Sequence, residues 1–170
     1  LQATLTIDSS AALGPRNVMV TNPAPGGGSA QLADAFTVNN PVPTVTTLLP
    51  ESTLVAAAST SLQVNGTNFV PGSVVRLGAD SMATVLVNRT RLTATIPASE
   101  LDSARSYVVT VTNPAPGGGI SNTRNFIVRN PAPTLASVSP ASGSRLQTLN
   151  IVFTGTNFIP SQVNSLEADR

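Results

Sequence analysis

The chain repeats itself. Val20–Gly28 reads VTNPAPGGG and returns unchanged as Val111–Gly119, 91 positions later. Asn40–Thr44 (NPVPT) returns as Asn130–Thr134 (NPAPT) after 90 positions, and Gly66–Pro71 (GTNFVP) as Gly155–Pro160 (GTNFIP) after 89. Phe36 and Val38 match Phe126 and Val128. One period of about 90 residues accounts for all four matches, and it points to an array of like units. The period also sets their bounds. Residues 40–130 make one complete repeat. Residues 1–39 align with 92–129 and form the C-terminal part of a preceding repeat. Residues 131–170 align with about 41–81 and form the N-terminal part of a following one. Together the two partial pieces lack only the counterpart of about 82–91.

Each unit reads as strands. Leu92, Ala94 and Ile96 alternate with Thr93 and Thr95, and Tyr107, Val109 and Val111 alternate with Val108, Thr110 and Thr112. A period of two is that of a half-buried strand. Leu62 and Val64, Val74 to Leu77, and Phe126 to Val128 continue the pattern, and their β-branched content supports it. Pro71-Gly72, Gly78-Ala79-Asp80, Pro97-Ala98-Ser99 and Pro116 to Gly119 punctuate the runs as turns. The 14 prolines and 12 glycines would interrupt helices repeatedly. The one helix-like candidate is a short turn over 98–104, with Ser99 as its cap. About seven short strands per repeat imply an all-β fold, an immunoglobulin-like antiparallel β-sandwich.

Composition narrows function by what it leaves out. The 170 residues contain no Cys, no His and no Lys; all nine basic residues are Arg. Without Cys there is neither a disulfide framework nor a thiolate metal site. Without His the usual general base and the commonest metal ligand are missing. Without Lys, Schiff-base chemistry, a P-loop lysine and Lys–Asn isopeptide staples are ruled out within this chain. Charged residues are only 10% and the net charge is +1, so no electrostatic attraction to nucleic acid or an anionic membrane is expected. No apolar run approaches the ~20 residues of a membrane span. Leu1 opens neither an initiator Met nor a signal peptide, which is expected of an internal window of a longer chain or of a processed form.

In order along the complete repeat stand PTVTTLLP (Pro43–Pro50), LQVNGTNFVPGSVVRLG (Leu62–Gly78), RLTATIP (Arg91–Pro97), YVVTVTNPAPGGG (Tyr107–Gly119) and NFIV (Asn125–Val128). These segments resemble the IPT/TIG domain, an Ig-like fold of the early-set kind. The following repeat keeps PTLASVSPASGS (Pro133–Ser144) and IVFTGTNFIP (Ile151–Pro160). The most specific element is the G-x-N-F turn after the second strand. One departure is Val55-Ala56-Ala57-Ala58, where the family often places glycines. In the turn itself, Gly66 is expected to supply an unusual backbone angle, Asn68 a left-handed position or a bond to nearby backbone, and Phe69 a plug for the end of the core.

Candidates for chemistry reduce to bland readings. The PAPGGG stretches lack the Lys, helix or βαβ context of a phosphate loop and read as hairpin turns. The acids are Asp8, Asp34, Glu51, Asp80, Glu100, Asp102, Glu167 and Asp169; only Glu100/Asp102 and Glu167/Asp169 lie close in sequence, as solvated loop charge or, for the first pair, a weak calcium site. The many Ser residues have no activating base. Arg89, Arg91, Arg105 and Arg124 are either solvated surface charge or an anion-binding patch. Glycan stacking usually wants exposed Trp or Tyr; Trp is absent and Tyr107 sits on a strand face. No catalytic, cofactor-binding or metal-binding residue is therefore expected.

The functional expectation is a non-catalytic structural module of a secreted or cell-surface bacterial protein: a spacer, stalk, adhesin or filament of tandem Ig-like domains. The connectors Asn39–Pro43 and Arg129–Pro133 are short and proline-stiffened, as in a semi-rigid rod. The alternative is a glycan- or protein-binding accessory module of a larger extracellular protein. The open half-domains are either parts of a longer chain or surfaces completed head-to-tail by copies of the same chain. Expected partners are thus neighbouring Ig-like repeats, other copies, or a surface protein or glycan, and neither nucleic acid nor a membrane span.

Overall fold

The computed structural model describes residues 1–159. Two strands lead: β1 (Gly14–Thr21) and β2 (Ser29–Val38). Then come β3 (Thr44–Leu49), β4 (Ser52–Leu54), β5 (Thr60–Thr67), β6 (Val74–Leu77), β7 (Asp80–Ser81), β8 (Ala83–Asn88), β9 (Arg91–Ile96), β10 (Arg105–Asn113), β11 (Gly119–Ile120) and β12 (Arg124–Arg129). The last pair is β13 (Thr134–Ser139) and β14 (Val152–Thr156). The expected strands all form.

Residues 44–129 fold as two sheets. One has the order β3-β5-β9-β8, all antiparallel. The other has the order β4-β12-β10-β6-β7, with β11 paired to β10. The first strand is split between them. Pro50 has no N–H to continue the β3–β5 ladder. The chain crosses over there, and β4 pairs parallel with β12, Ile127 opposite Ser52. This clamps the two sheets together at one edge.

The alternating residues set the core. Val45, Leu48, Leu62, Val64, Leu92, Ala94 and Ile96 project from the first sheet. Val75, Leu77, Val109, Val111, Phe126 and Val128 meet them from the second, and all are buried. Their Thr and Asn neighbours face out, which keeps a weakly charged surface polar.

The helix-like candidate is a single 3₁₀ turn, Ala98–Leu101. Pro97 occupies its cap position and no side chain caps it, so Ser99 does not take the expected role. The turn is held instead by Leu101, which is fully buried and plugs the core.

Two hairpins flank the sandwich. β1 and β2 pair antiparallel as their own two-stranded sheet, and so do β13 and β14. Their registers follow those of residues 44–129 in part: β13–β14 keeps the bulge of β3–β5, and β1–β2 matches β10–β12 over Gly14–Arg16 but then breaks at a bulge between Arg16 and Val18 that β10–β12 lacks. Tyr107 pairs with Phe126 and Arg105 with Val128; Arg16 pairs with Phe36 and Gly14 with Val38. Val45 pairs with Gly66 and Leu48 with Val64, across a bulge between Val45 and Thr47; Leu135 pairs with Gly155 and Val138 with Phe153, across a bulge between Leu135 and Ser137.

Candidate functional site

The G-x-N-F turn starts where β5 leaves the sheet. Asn68 takes a left-handed conformation (φ 63°), and its Nδ2 donates to Val42 O at 2.9 Å, so both roles expected of it are met at once. Phe69 is fully buried in the core. Gly66 is required for a different reason from the one expected. Its φ is unexceptional, but a Cβ there would overlap Thr44 O and lie 2.6 Å from the Phe69 ring. The position needs glycine for close approach, because the ring packs directly beneath the strand. Gly155, Asn157 and Phe158 reproduce the arrangement: Asn157 has φ 61° and donates to Ala132 O at 2.8 Å.

The turn is tied to the connector by Asn113, at the end of β10. Its side chain is buried and fully used. Nδ2 donates to Pro41 O (2.9 Å) and to Asn68 O (2.7 Å), and Oδ1 accepts from Ser73 Oγ (2.6 Å). One amide thus joins the connector, the G-x-N-F turn and the start of β6.

The glycine loop that follows receives the rest of the connector. Asn40 N donates to Pro116 O (2.8 Å), Gly118 N donates to Asn40 O (2.8 Å), and Asn40 Nδ2 donates to Pro114 O (2.8 Å). Asn40 therefore behaves as one residue of a parallel strand laid on the loop. A Cβ at Gly117 would lie 2.5 Å from Asn39 Cβ and 2.8 Å from Asn40 O, and its φ is +69°. The hairpin-turn reading of PAPGGG is right, and incomplete. The loop is also a socket for the incoming chain.

The remaining candidates do not converge. Glu100 and Asp102 are occupied by neighbours. Tyr107 Oη donates to Glu100 O (2.7 Å) and sits 2.8 Å from Glu100 Oε2, while Asp102 pairs with Arg105 at 3.2 Å. Burial, then the Glu100 carboxylate, pushes the Tyr107 phenol up to about 12. A strand tyrosine bonded back to upstream backbone is the tyrosine corner of Ig-like sandwiches. Alternation placed Tyr107 on a strand but gave no sign of this bond.

The four arginines are dispersed. Arg89 donates to Ser9 O (2.6 Å), and Arg124 Nε to Thr46 O (2.9 Å). Arg105 lies 4.8 Å over the Tyr107 ring, and Arg91 starts β9 in the opposite sheet. Among the described residues no three His, Cys, Asp or Glu side chains group as a metal site. Glu167 and Asp169 lie outside the described residues.

The comparison with protein families agrees with this geometry. The model of the IPT/TIG domain matches residues 43–128, half of the chain. The chain belongs to the IPT/TIG family. No curated protein matches it. The TIG match begins at the connector's last proline and ends in β12, so it spans both sheets and the whole G-x-N-F turn. TIG domains are non-catalytic Ig-like modules. Here the most elaborately bonded residues, Asn113 and Asn40, hold backbone rather than face a cleft.

Proposed function

We propose that this chain is a structural segment of a secreted or cell-surface bacterial protein, in which TIG domains in series act as a spacer, stalk or adhesive array. The observation that carries the reading is the docked connector. Asn40 makes three hydrogen bonds to the 114–118 loop, and Asn113 holds Pro41 from inside the domain. A connector fixed to the domain it enters transmits orientation from one unit to the next, which a flexible tether does not. The Thr/Ser/Asn-rich, weakly charged composition and the lack of Cys, His and Lys support a passive extracellular module.

Backbone ¹⁵N relaxation of the chain tests this. Order parameters at Asn39 and Asn40 should match those of β10, near ~0.85. Values below ~0.6 would mean a loose tether and sink the spacer reading. A glycan array on the same sample addresses the binding-module alternative. Binding above background would move the assignment to that class.

A further inference from the structure

We propose that Asn88 is an acceptor site for N-linked glycosylation, and that it takes a sugar from a donor whose anomeric carbon is activated by phosphate. The chain has two Asn-X-Thr triplets, Asn65-Gly66-Thr67 and Asn88-Arg89-Thr90. A triplet of this kind is an acceptor only where a transferase reaches it, so the sequence does not separate the two. The geometry does.

Asn65 lies in β5, which has β3 on one side and β9 on the other. Its carboxamide is already used. Nδ2 donates to Thr47 Oγ1 (3.0 Å), and Oδ1 accepts from Gln63 Nε2 (3.0 Å). The Thr67 hydroxyl is taken as well, by Thr44 Oγ1 across the strand pair (2.6 Å). A transferase could engage this triplet only after β3 had been peeled from β5.

Asn88 ends β8 and opens the turn to β9, and Asn88, Arg89 and Thr90 are all exposed. β8 is the last strand of its sheet. Val85 and Val87, which lead up to Asn88, are 64% and 46% exposed, so the approach to that edge is open. Thr90 N and Thr90 Oγ1 each donate to Asn88 Oδ1 at 2.9 Å. Nδ2 has no partner among the described residues. The Thr hydroxyl is therefore held against the carboxamide while the nitrogen is left free. The turn keeps this shape because its carbonyls are bonded: Phe69 N donates to Arg89 O (3.0 Å), and Gly66 N to Thr90 O (2.9 Å). An acceptor fixed in this way loses little conformational freedom when a transferase binds it.

The chemistry uses both groups of the triplet. An amide nitrogen is a weak nucleophile, because its lone pair is shared with the carbonyl. The two hydrogen bonds on Oδ1 polarise the carboxamide, which makes an Nδ2 proton easier to remove. A base of the transferase takes that proton, and Nδ2 attacks the anomeric carbon. The C1–N bond forms, the C1–O bond to the phosphate breaks, and the phosphate leaves with the bonding pair.

The test incubates the folded 170-residue chain with a soluble N-glycosyltransferase specific for Asn-X-Ser/Thr and a nucleotide-activated hexose. Intact mass and peptide mapping read the product. The folded chain should gain one hexose, on Asn88. A proteolytic digest that leaves both triplets whole, treated alongside, should gain hexose on Asn65 as well, because only the fold protects that site. Asn88→Gln should abolish transfer to the folded chain, and Asn65→Gln should leave it unchanged. Thr90→Ala should also abolish it and Thr90→Ser should preserve it, although Asn88 stays exposed in both. A folded chain that takes no hexose while its digest does, or one that takes hexose on Asn65, overturns the proposal. Neither result bears on the spacer reading, which the connector order parameters test separately.

Discussion

Two parts of this chain carry matching motifs at matching places and differ in what covers them. In the complete domain Val45, Phe69 and Val109 are 1%, 0% and 0% exposed; Leu135, Phe158 and Val18, which occupy the corresponding places in the hairpins, are 59%, 42% and 45% exposed. The bulge, the left-handed Asn and the glycine under the aromatic ring persist without the second layer. Local sequence therefore specifies the hairpin, and the opposite sheet supplies the burial that stabilises it. A β-sheet hides only one apolar face by itself, so a sandwich is the smallest unit that closes the core.

The largest break in this comparison should come from the paired phenylalanines. Phe69→Ala removes a fully buried ring and is expected to cost about 3–5 kcal/mol, a large part of the ~5–15 kcal/mol typical of a domain. Phe158→Ala, measured in dilute solution, should leave the main unfolding transition within about 0.5 kcal/mol, as surface substitutions do. Urea denaturation of both variants, followed by circular dichroism, checks the pair. Equal losses would mean that the C-terminal hairpin is already covered in the monomer.

How much of this was legible follows the same division. The strands were, because Leu92-Thr93-Ala94-Thr95-Ile96 states its two faces in its own alternation. The G-x-N-F turn was too, as far as Asn68 and Phe69 go. Gly66 is legible only in part: a sequence marks a glycine but does not say whether a positive φ or a close neighbour demands it, and here the neighbours are Thr44 O and the Phe69 ring. The socket was not legible. Asn40 bonds Pro114 and Asn113 bonds Pro41, partners 74 and 72 positions away that come together only after the sheets close. The one available signal was that VTNPAPGGG repeats without change, including an Asn that a simple hairpin turn does not need. The strand position of Tyr107 is legible, but its bonds to the Glu100 carbonyl and carboxylate are not, because they form only when the 3₁₀ turn folds back on β10.

A second contrast lies in the asparagines that open the two glycine loops. Asn113→Ala would remove the donor to Pro41 O and Asn68 O and one acceptor of Ser73 Oγ, which keeps its bonds to Val70. Buried polar groups left unpaired cost about 1–3 kcal/mol, and a loss of about 2–3 kcal/mol is expected. Order parameters at Asn40 should fall in the same variant. Asn22 is exposed, and Asn22→Ala should be silent within about 0.5 kcal/mol in the dilute chain. Thermal or urea melts give the stabilities, and relaxation of the Asn40 amide separates release of the connector from general destabilisation.

The smallest effect concerns the connection between the first two strands of each unit. Ala56 sits at φ 61°, where the family often has glycine, and Leu146 occupies the corresponding place at φ 68°. A side chain with a Cβ at such an angle costs roughly 1–2 kcal/mol. The Ala56 amide donates to Leu101 O at 2.8 Å, so the angle is fixed by the buried 3₁₀ turn and cannot relax without losing that bond. Ala56→Gly should therefore stabilise the domain, by about 0.5–1 kcal/mol after the added freedom of glycine in the unfolded chain is subtracted. Leu146→Gly relieves the same angle in the uncovered hairpin, and it should not move the main transition. If Ala56→Gly destabilises, the loop is held by packing of the Ala56 methyl and not by the bond to Leu101. If Leu146→Gly shifts the midpoint as much as Ala56→Gly, the hairpin unfolds with the domain, and the two regions are one cooperative unit despite their different burial.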